Sequence, residues 1–263
     1  MERFGIDISK WQGNFDIQSA KNSGVEFAIL KIGGGDCGLY KDKQFDNNYA
    51  KCENANVPKG CYFFGQAMNI KEAVKEAEYW VSLMKGKKFE YPVFYDVEAN
   101  MLSLDKRTLT DVIKKVCEIV ESNGYWVGIY MSSANFTYEV YDTELSKYSH
   151  WVASWGTKKP KLPEAETQMW QFGGTVNKIR SNKINGQTVD QNYCYVDYPT
   201  IIKQKGLNGY NKTTTTKKTN EELAFEVIDG KWGNGLARRN ALTKAGYDYK
   251  TIQKIVNEIV KAK

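Results

Sequence analysis

From residue 3 to about residue 131, short apolar runs alternate with amphipathic stretches, and this alternation constrains the fold more than any other feature. Five runs have strand length: Phe4–Ile8, Phe27–Ile32, Gly60–Gly65, Val93–Val97 and Trp126–Tyr130. Between them lie stretches with a 3.6-residue apolar period. Ala73, Ala77, Trp80, Val81 and Met84 share one helical face. Leu109, Val112, Ile113, Val116, Cys117 and Val120 share another. Strand–helix alternation predicts a parallel sheet. After residue 150 the pattern changes. Runs near Trp151–Trp155, Gln168–Phe172 and Thr188–Asn192 read as strands, but the gaps between them are too short for full helices. Five strands with helices and three without predict an α/β fold, an irregular (β/α)5(β)3 TIM-like barrel. An open α/β sheet is the alternative.

Residues 208–220 have almost no apolar content and read as a linker, leaving 1–207 as the main domain. Residues 221–263 carry their own pattern. Leu223, Ala224, Val227 and Ile228 form one short face, Leu236 and Leu242 belong to a second helix stopped at Gly246, and Ile252, Ile255, Val256 and Ile259 form a third. This predicts a small C-terminal three-helix module with a thin core. Charge divides along the same line. Residues 208–263 hold 11 Lys/Arg against 6 Asp/Glu, whereas 1–207 hold 26 against 25, so most of the net +6 sits on the tail. A basic tail favours an anionic partner such as a cell wall, a membrane surface or nucleic acid. No nucleic-acid module is recognisable, and no run approaches the ~18 apolar residues of a membrane span, so membrane insertion is not expected. The opening Met-Glu-Arg-Phe-Gly-Ile-Asp lacks a basic stretch followed by an apolar run, so no secretory signal is expected. Five cysteines, odd in number and without CxxC spacing, read as free thiols.

The chain has one histidine, His150, beside Trp151 in an apolar stretch, where a structural role is the better reading. Metal hydrolases normally need several His ligands, and Ser-His or Cys-His systems need a His base. No metal or other cofactor is therefore expected, and hydrolysis would rest on carboxylates. In Tyr91-Pro-Val-Phe-Tyr-Asp96-Val-Glu98 an apolar strand runs into two carboxylates at i and i+2, on one face and about 6.6 Å apart by the strand rise. Two close carboxylates do not ionise together easily, so one keeps its proton near neutrality. The same spacing recurs at Asp142-Thr-Glu144, but without a preceding apolar strand, and reads as a solvated turn or helix start. Asp7 and Asp190 also end apolar runs. Either they meet Asp96 and Glu98 at a barrel mouth, or they cap the next turn. Aromatics are frequent, with 17 Tyr and 7 Trp, and flat aromatic faces suit sugar-binding clefts as well as cores.

The order Gly5-Ile-Asp7-Ile-Ser-Lys-Trp-Gln-Gly13, Val25-Glu-Phe-Ala-Ile-Leu-Lys31, Gly60-Cys-Tyr-Phe-Phe64, Asp96-Val-Glu98, Trp170-Gln171-Phe172 and Val189-Asp190 resembles the family-25 glycoside hydrolases, the Chalaropsis-type lysozymes. The likeness covers about 1–200. It implies the same irregular barrel and hydrolysis of the β-1,4 bond from N-acetylmuramic acid to N-acetylglucosamine in bacterial peptidoglycan. By position it implies Glu98 as general acid, Asp96 orienting the substrate's acetamido group, and Asp7 and Asp190 as further pocket carboxylates. Tyr62 and Phe64 would line the pocket, with Tyr130, Trp151, Trp155 and Gln171 as additional lining. The tail, from Glu222-Leu-Ala-Phe-Glu-Val-Ile-Asp-Gly-Lys-Trp-Gly-Asn-Gly235 to Val256-Asn257, resembles the choline-independent cell-wall-binding repeat of phage lysins, the CW_7 type. Asp229, Trp232, Arg238 and Tyr247 would then contact the wall, although Trp232 and Tyr247 can equally be core. The combined expectation is a phage endolysin, made in the host cytoplasm and acting on the wall after release. The alternative is a non-catalytic glycan binder on a lysozyme-like scaffold.

Overall fold

A computed structural model describes residues 2–173, 183–184, 186–211 and 218–261. The strands are β1 (Arg3–Ile8), β2 (Phe27–Gly34), β3 (Tyr40–Lys41), β4 (Lys59–Phe64), β5 (Val93–Asp96), β6 (Val127–Ser132), β7 (Ser149–Ala153), β8 (Met169–Gly173), β9 (Lys183–Ile184), β10 (Gln187–Thr188) and β11 (Asp190–Cys194). The helices of the first unit are α1 (Ile17–Asn22), α2 (Phe45–Ala55), α3 (Ile70–Met84), α4 (Lys106–Ser122), α5 (Ser133–Tyr138), α6 (Asp142–Leu145) and α7 (Tyr198–Lys205). Neighbouring strands run β1-β11-β8-β7-β6-β5-β4-β2, and β2 pairs back onto β1, which closes an eight-stranded barrel. The pairs from β1 through β2, β4, β5, β6 and β7 to β8 are parallel, whereas β11 is antiparallel to both β8 and β1. The (β/α)5(β)3 barrel expected from the alternation is therefore the fold, and the open sheet is not.

Alternation within each strand builds two cores. Outward residues such as Ile6, Leu30, Phe63, Tyr95, Ile129 and Val152 pack under the helices, where they meet the expected faces of α3 and α4, buried throughout. Each large apolar side chain so buried stabilises by about 1.5–3 kcal/mol. The helix starts are locally specified: the Asn69 side chain accepts the Glu72 N–H, and Asp105 accepts those of Arg107 and Thr108. Inward residues Phe27, Ile29, Tyr91, Phe94, Trp151 and Met169 fill the lower barrel. Glycines make room for the rings there. A Cβ at Gly128 would lie 2.5 Å from the Phe94 ring, and one at Gly5 would lie 2.4 Å from that of Phe27.

Two expectations need correction here. Asp142 is not a solvated turn residue. It is buried at the start of α6, and its Oδ1 lies 2.7 Å from Nε2 of His150, a fully buried outward residue of β7. Glu144 on the same helix pairs with Arg107 and Lys114. Nor does the barrel unit stop at 207. Asn208 is fully buried with φ 55°, a left-handed conformation that Asn tolerates. It accepts the Phe89 N–H at its carbonyl (3.1 Å) and the Trp126 N–H at Oδ1 (2.7 Å), and it donates to the carbonyls of Gly124 (2.9 Å) and Tyr91 (2.8 Å). Residues 208–211 thus close the barrel floor, and 212–217 of the expected linker lie outside the described residues.

The second unit contains α8 (Asn220–Ile228), α9 (Gly235–Lys244) and α10 (Tyr249–Lys261). Thr219 and Glu222 cap α8 reciprocally. Its core is Leu223, Ala224, Val227, Leu242, Ile252 and Val256, with Trp232, Tyr247, Ile255 and Ile259 packed against it. Leu236 and Leu242 both lie on α9, as expected, with Leu242 buried and Leu236 exposed. Six residues rotate a helix by about 240°, which puts the two on different faces.

Candidate active site

The strand parity that sends apolar residues inward at the floor sends polar ones inward at the mouth. Register sets Asp7 opposite Asp190, Asp96 between Phe64 and Tyr130, and Gln171 between Ala153 and Asn192. Asp7 is 6% exposed. Its Oδ2 accepts hydrogen bonds from Gln171 Nε2 (3.0 Å) and Asn192 Nδ2 (2.8 Å). Burial, and after it the Asp190 charge, push Asp7 up to about 8, although those two bonds pull the other way. Asp96 is 4% exposed. Burial, then the Glu98 charge and a hydrogen bond shared with that carboxyl, hold it well above the ordinary carboxylate range, against the pull of Lys31. The rise expected for one member of the i, i+2 pair thus falls on Asp96, the member inside the barrel wall. Asp96 Oδ1 is buried and has no hydrogen-bond partner among the described residues.

Glu98 sits past the end of β5, half-buried and extended, where the chain leaves the barrel wall. Ala99 follows with φ 51°. That left-handed residue, costly for an Ala, turns the backbone into a short 3-10 segment. Glu98 lines an open pocket of about 320 Å³ with Tyr130, Ser132, Asn135, Ala153, Ser154 and Trp155. Gln171 ties the pocket wall to the carboxylates. Its Oε1 accepts from the Tyr130 hydroxyl (2.8 Å) and Trp155 Nε1 (3.4 Å), while its amide holds Asp7.

Trp155 is 43% exposed and offers its ring to the mouth. Trp151 does not line the pocket. It is 2% exposed, packs under Tyr130 (4.5 Å between centroids) and Tyr62, and donates to Asn192 Oδ1 at 2.7 Å. Tyr62 and Phe64 face inward beneath the Lys31 ammonium, 5.8 and 4.5 Å from their rings. Burial, then the charges of Asp7, Asp96 and Asp190, hold the Tyr62 hydroxyl well above its usual range. Asn192 and Lys31 escaped the sequence analysis, yet parity could have found them. Asn192 lies two residues past Asp190 on its face, and Lys31 ends an apolar run as Asp7 does.

In the second unit the expected wall contacts are partly occupied by the module itself. Arg238 donates to Gly233 O, Asn234 Oδ1 and Gln253 Oε1, each at 3.0 Å. Trp232 donates to Glu226 (3.1 Å) and meets Tyr247 edge-on. Asp229 is exposed, 3.4 Å from Lys231.

Four carboxylates thus gather at the mouth of a β/α barrel, one of them beside an open pocket, an arrangement that suits hydrolysis by proton transfer. Residues 6–179 match the model for glycosyl hydrolases family 25, and the chain belongs to that family. Residues 221–260 match the CW_7 repeat. The chain is 27% identical over 201 residues to lysozyme M1 of Streptomyces globisporus, covering 69% of this chain and 67% of the relative. It is 28% identical over 263 residues to the lysozyme of Streptococcus phage Cp-7, covering 97% of this chain and 69% of the relative. The bacterial lysozyme of Streptomyces coelicolor shares the fold with a TM-score of 0.64 and 23% identity over 79% of this chain and 97% of that one. The chain spans between 52% and 69% of the length of the curated relatives it matches.

Proposed function

We propose that this glycosidase is an endolysin-type muramidase that cleaves the β-1,4 bond from N-acetylmuramic acid to N-acetylglucosamine, with the three-helix module as its wall anchor. The observation that carries the assignment is the placement of the Asp96–Glu98 pair: Asp96 is buried in the barrel wall at the mouth, and Glu98, two residues on, lines the open pocket. From that position Glu98 serves as the general acid, giving a proton to the leaving glycosidic oxygen. Asp96 Oδ1, buried without a donor among the described residues, suits the N–H of the substrate's acetamido group. With that group held, its carbonyl oxygen attacks the anomeric carbon as the glycosidic bond breaks. Water then opens the resulting ring, giving its proton to the Glu98 carboxylate. This departs from the scheme in which an enzyme carboxylate is the nucleophile. Asp7 and Asp190 complete the acidic wall, and Tyr130 and Trp155 flank the sugar. A match to the CW_7 repeat supports wall anchoring for residues 221–260, as does a basic tail facing an anionic polymer.

Digestion of purified peptidoglycan tests the assignment. New reducing ends at muramic acid are expected. New free amino groups from stem peptides, with no reducing ends, would overturn it. Glu98→Gln should abolish lysis and keep wall binding.

A further inference from the structure

The segment Ser9-Lys-Trp-Gln-Gly13 belongs to the family pattern, yet no step above uses it. It forms a 3-10 turn over Lys10–Gln12 immediately after β1, on the side of the barrel where Asp7 lies. Trp11 in that turn is 79% exposed. A single exposed apolar residue is ordinary. Here, however, the turn beneath it is rigidly specified. Ser9 Oγ accepts the Trp11 N–H (3.2 Å), and the Ser9 N–H donates to Gln12 Oε1 (2.9 Å). The Lys10 N–H donates to Oδ2 of Asp42 (3.1 Å), a buried carboxylate whose other oxygen accepts the Gln44 N–H (2.9 Å). A ring on so fixed a base loses little freedom when something stacks on it.

The ring is also continuous with the active centre. The Lys10 ammonium lies 4.9 Å from the Trp11 ring and 5.8 Å from that of Tyr40. Lys31 lies 6.0 Å from the same Tyr40 ring and 4.5 Å from that of Phe64. Cations and aromatic faces therefore alternate from the catalytic carboxylates out to the rim. Aromatic faces suit the C–H faces of sugar rings, and ammonium groups suit carboxylates. A peptidoglycan strand carries both, the carboxylates on its peptide arms.

We propose that Trp11, with Lys10 beside it, is a rim subsite that stacks a sugar ring of the strand beyond the cleaved bond and pairs a carboxylate of its peptide arm. The proposal rests on the muramidase assignment. It predicts that activity favours long strands over the shortest cleavable saccharide, and that Trp11→Ala lowers this long-to-short preference in kcat/KM about tenfold, through KM. Trp11→Phe should restore most of it. Lys10→Gln should reduce the preference for peptide-bearing over peptide-free long strands. Equal loss on long and short strands, or no loss at all, overturns the subsite. The same strands titrated into the full-length Glu98→Gln protein, with and without Trp11→Ala, read the subsite without turnover. Weaker binding of long strands by the double variant is expected, and equal binding would overturn the proposal. If the unmodified protein releases no reducing ends, the muramidase assignment fails while the binding comparison still decides the subsite.

Discussion

At Asp7 stability and chemistry pull in opposite directions. The folded protein raises this carboxyl from 3.8 to about 8, so the folded state binds its proton more tightly than the unfolded state does. The stability this contributes is complete below pH 3.8 and is lost as pH rises through about 8. Asp7→Asn keeps an oxygen for Gln171 and Asn192 and has no charge to bury. It should match the unmodified protein at acid pH and exceed it above pH 8 by several kcal/mol, on the order of 6, measured by urea unfolding at several pH values, while activity falls. A constant difference across pH would contradict the assigned cause. At Glu98 the expected effect is catalytic instead. Glu98→Gln should lower kcat roughly 10²–10⁴-fold with the melting temperature unchanged, because Glu98 is half-buried at the pocket edge. The carboxylates were legible in the sequence because each ends an apolar run. Glu76 was not. It shares the buried face of α3 with Ala73 and Ala77, and accepts the Tyr95 hydroxyl at 2.6 Å and the Gln66 N–H at 3.0 Å. Periodicity marks that position as core without saying what a carboxylate there would bond.

At the scale of elements, the five β/α units were readable because period 2 and period 3.6 alternate cleanly. The direction of β11 was not, since an apolar run carries no sense of parallel or antiparallel. Asn208 lay hidden for a related reason: its importance is four backbone-directed hydrogen bonds, which polar composition disguises as linker. A chain ended after Lys205 should lose about 4 kcal/mol of barrel stability, at roughly 1 kcal/mol per bond, whereas one ended after Thr213 should keep the melting temperature of the full barrel. Equal stability of the two would show that the floor does not need Asn208. Gly128→Ala should also destabilise the barrel, by about 1–3 kcal/mol, because its Cβ meets the Phe94 ring.

At the scale of the molecule, charge divides between two units: Met1–Thr213 carries the four mouth carboxylates and is nearly neutral, whereas Thr214–Lys263, with 10 Lys/Arg against 6 Asp/Glu, carries most of the net +6. Binding of the Thr213-terminated chain to cell walls should be weaker, and its salt dependence shallower, than that of the full chain. Unchanged binding would remove the anchoring role. The barrel's closure has a consequence for synthesis. Asp7 takes its two hydrogen bonds from residues 164 and 185 positions later in the chain. At about 5–20 residues per second on the ribosome, those partners follow by on the order of ten seconds or more. Until then β1 has no β11 to pair with and Asp7 has no donors, so a nascent chain carries its acids without the geometry to use them, and it can become competent to cut only after Asn192 has been made.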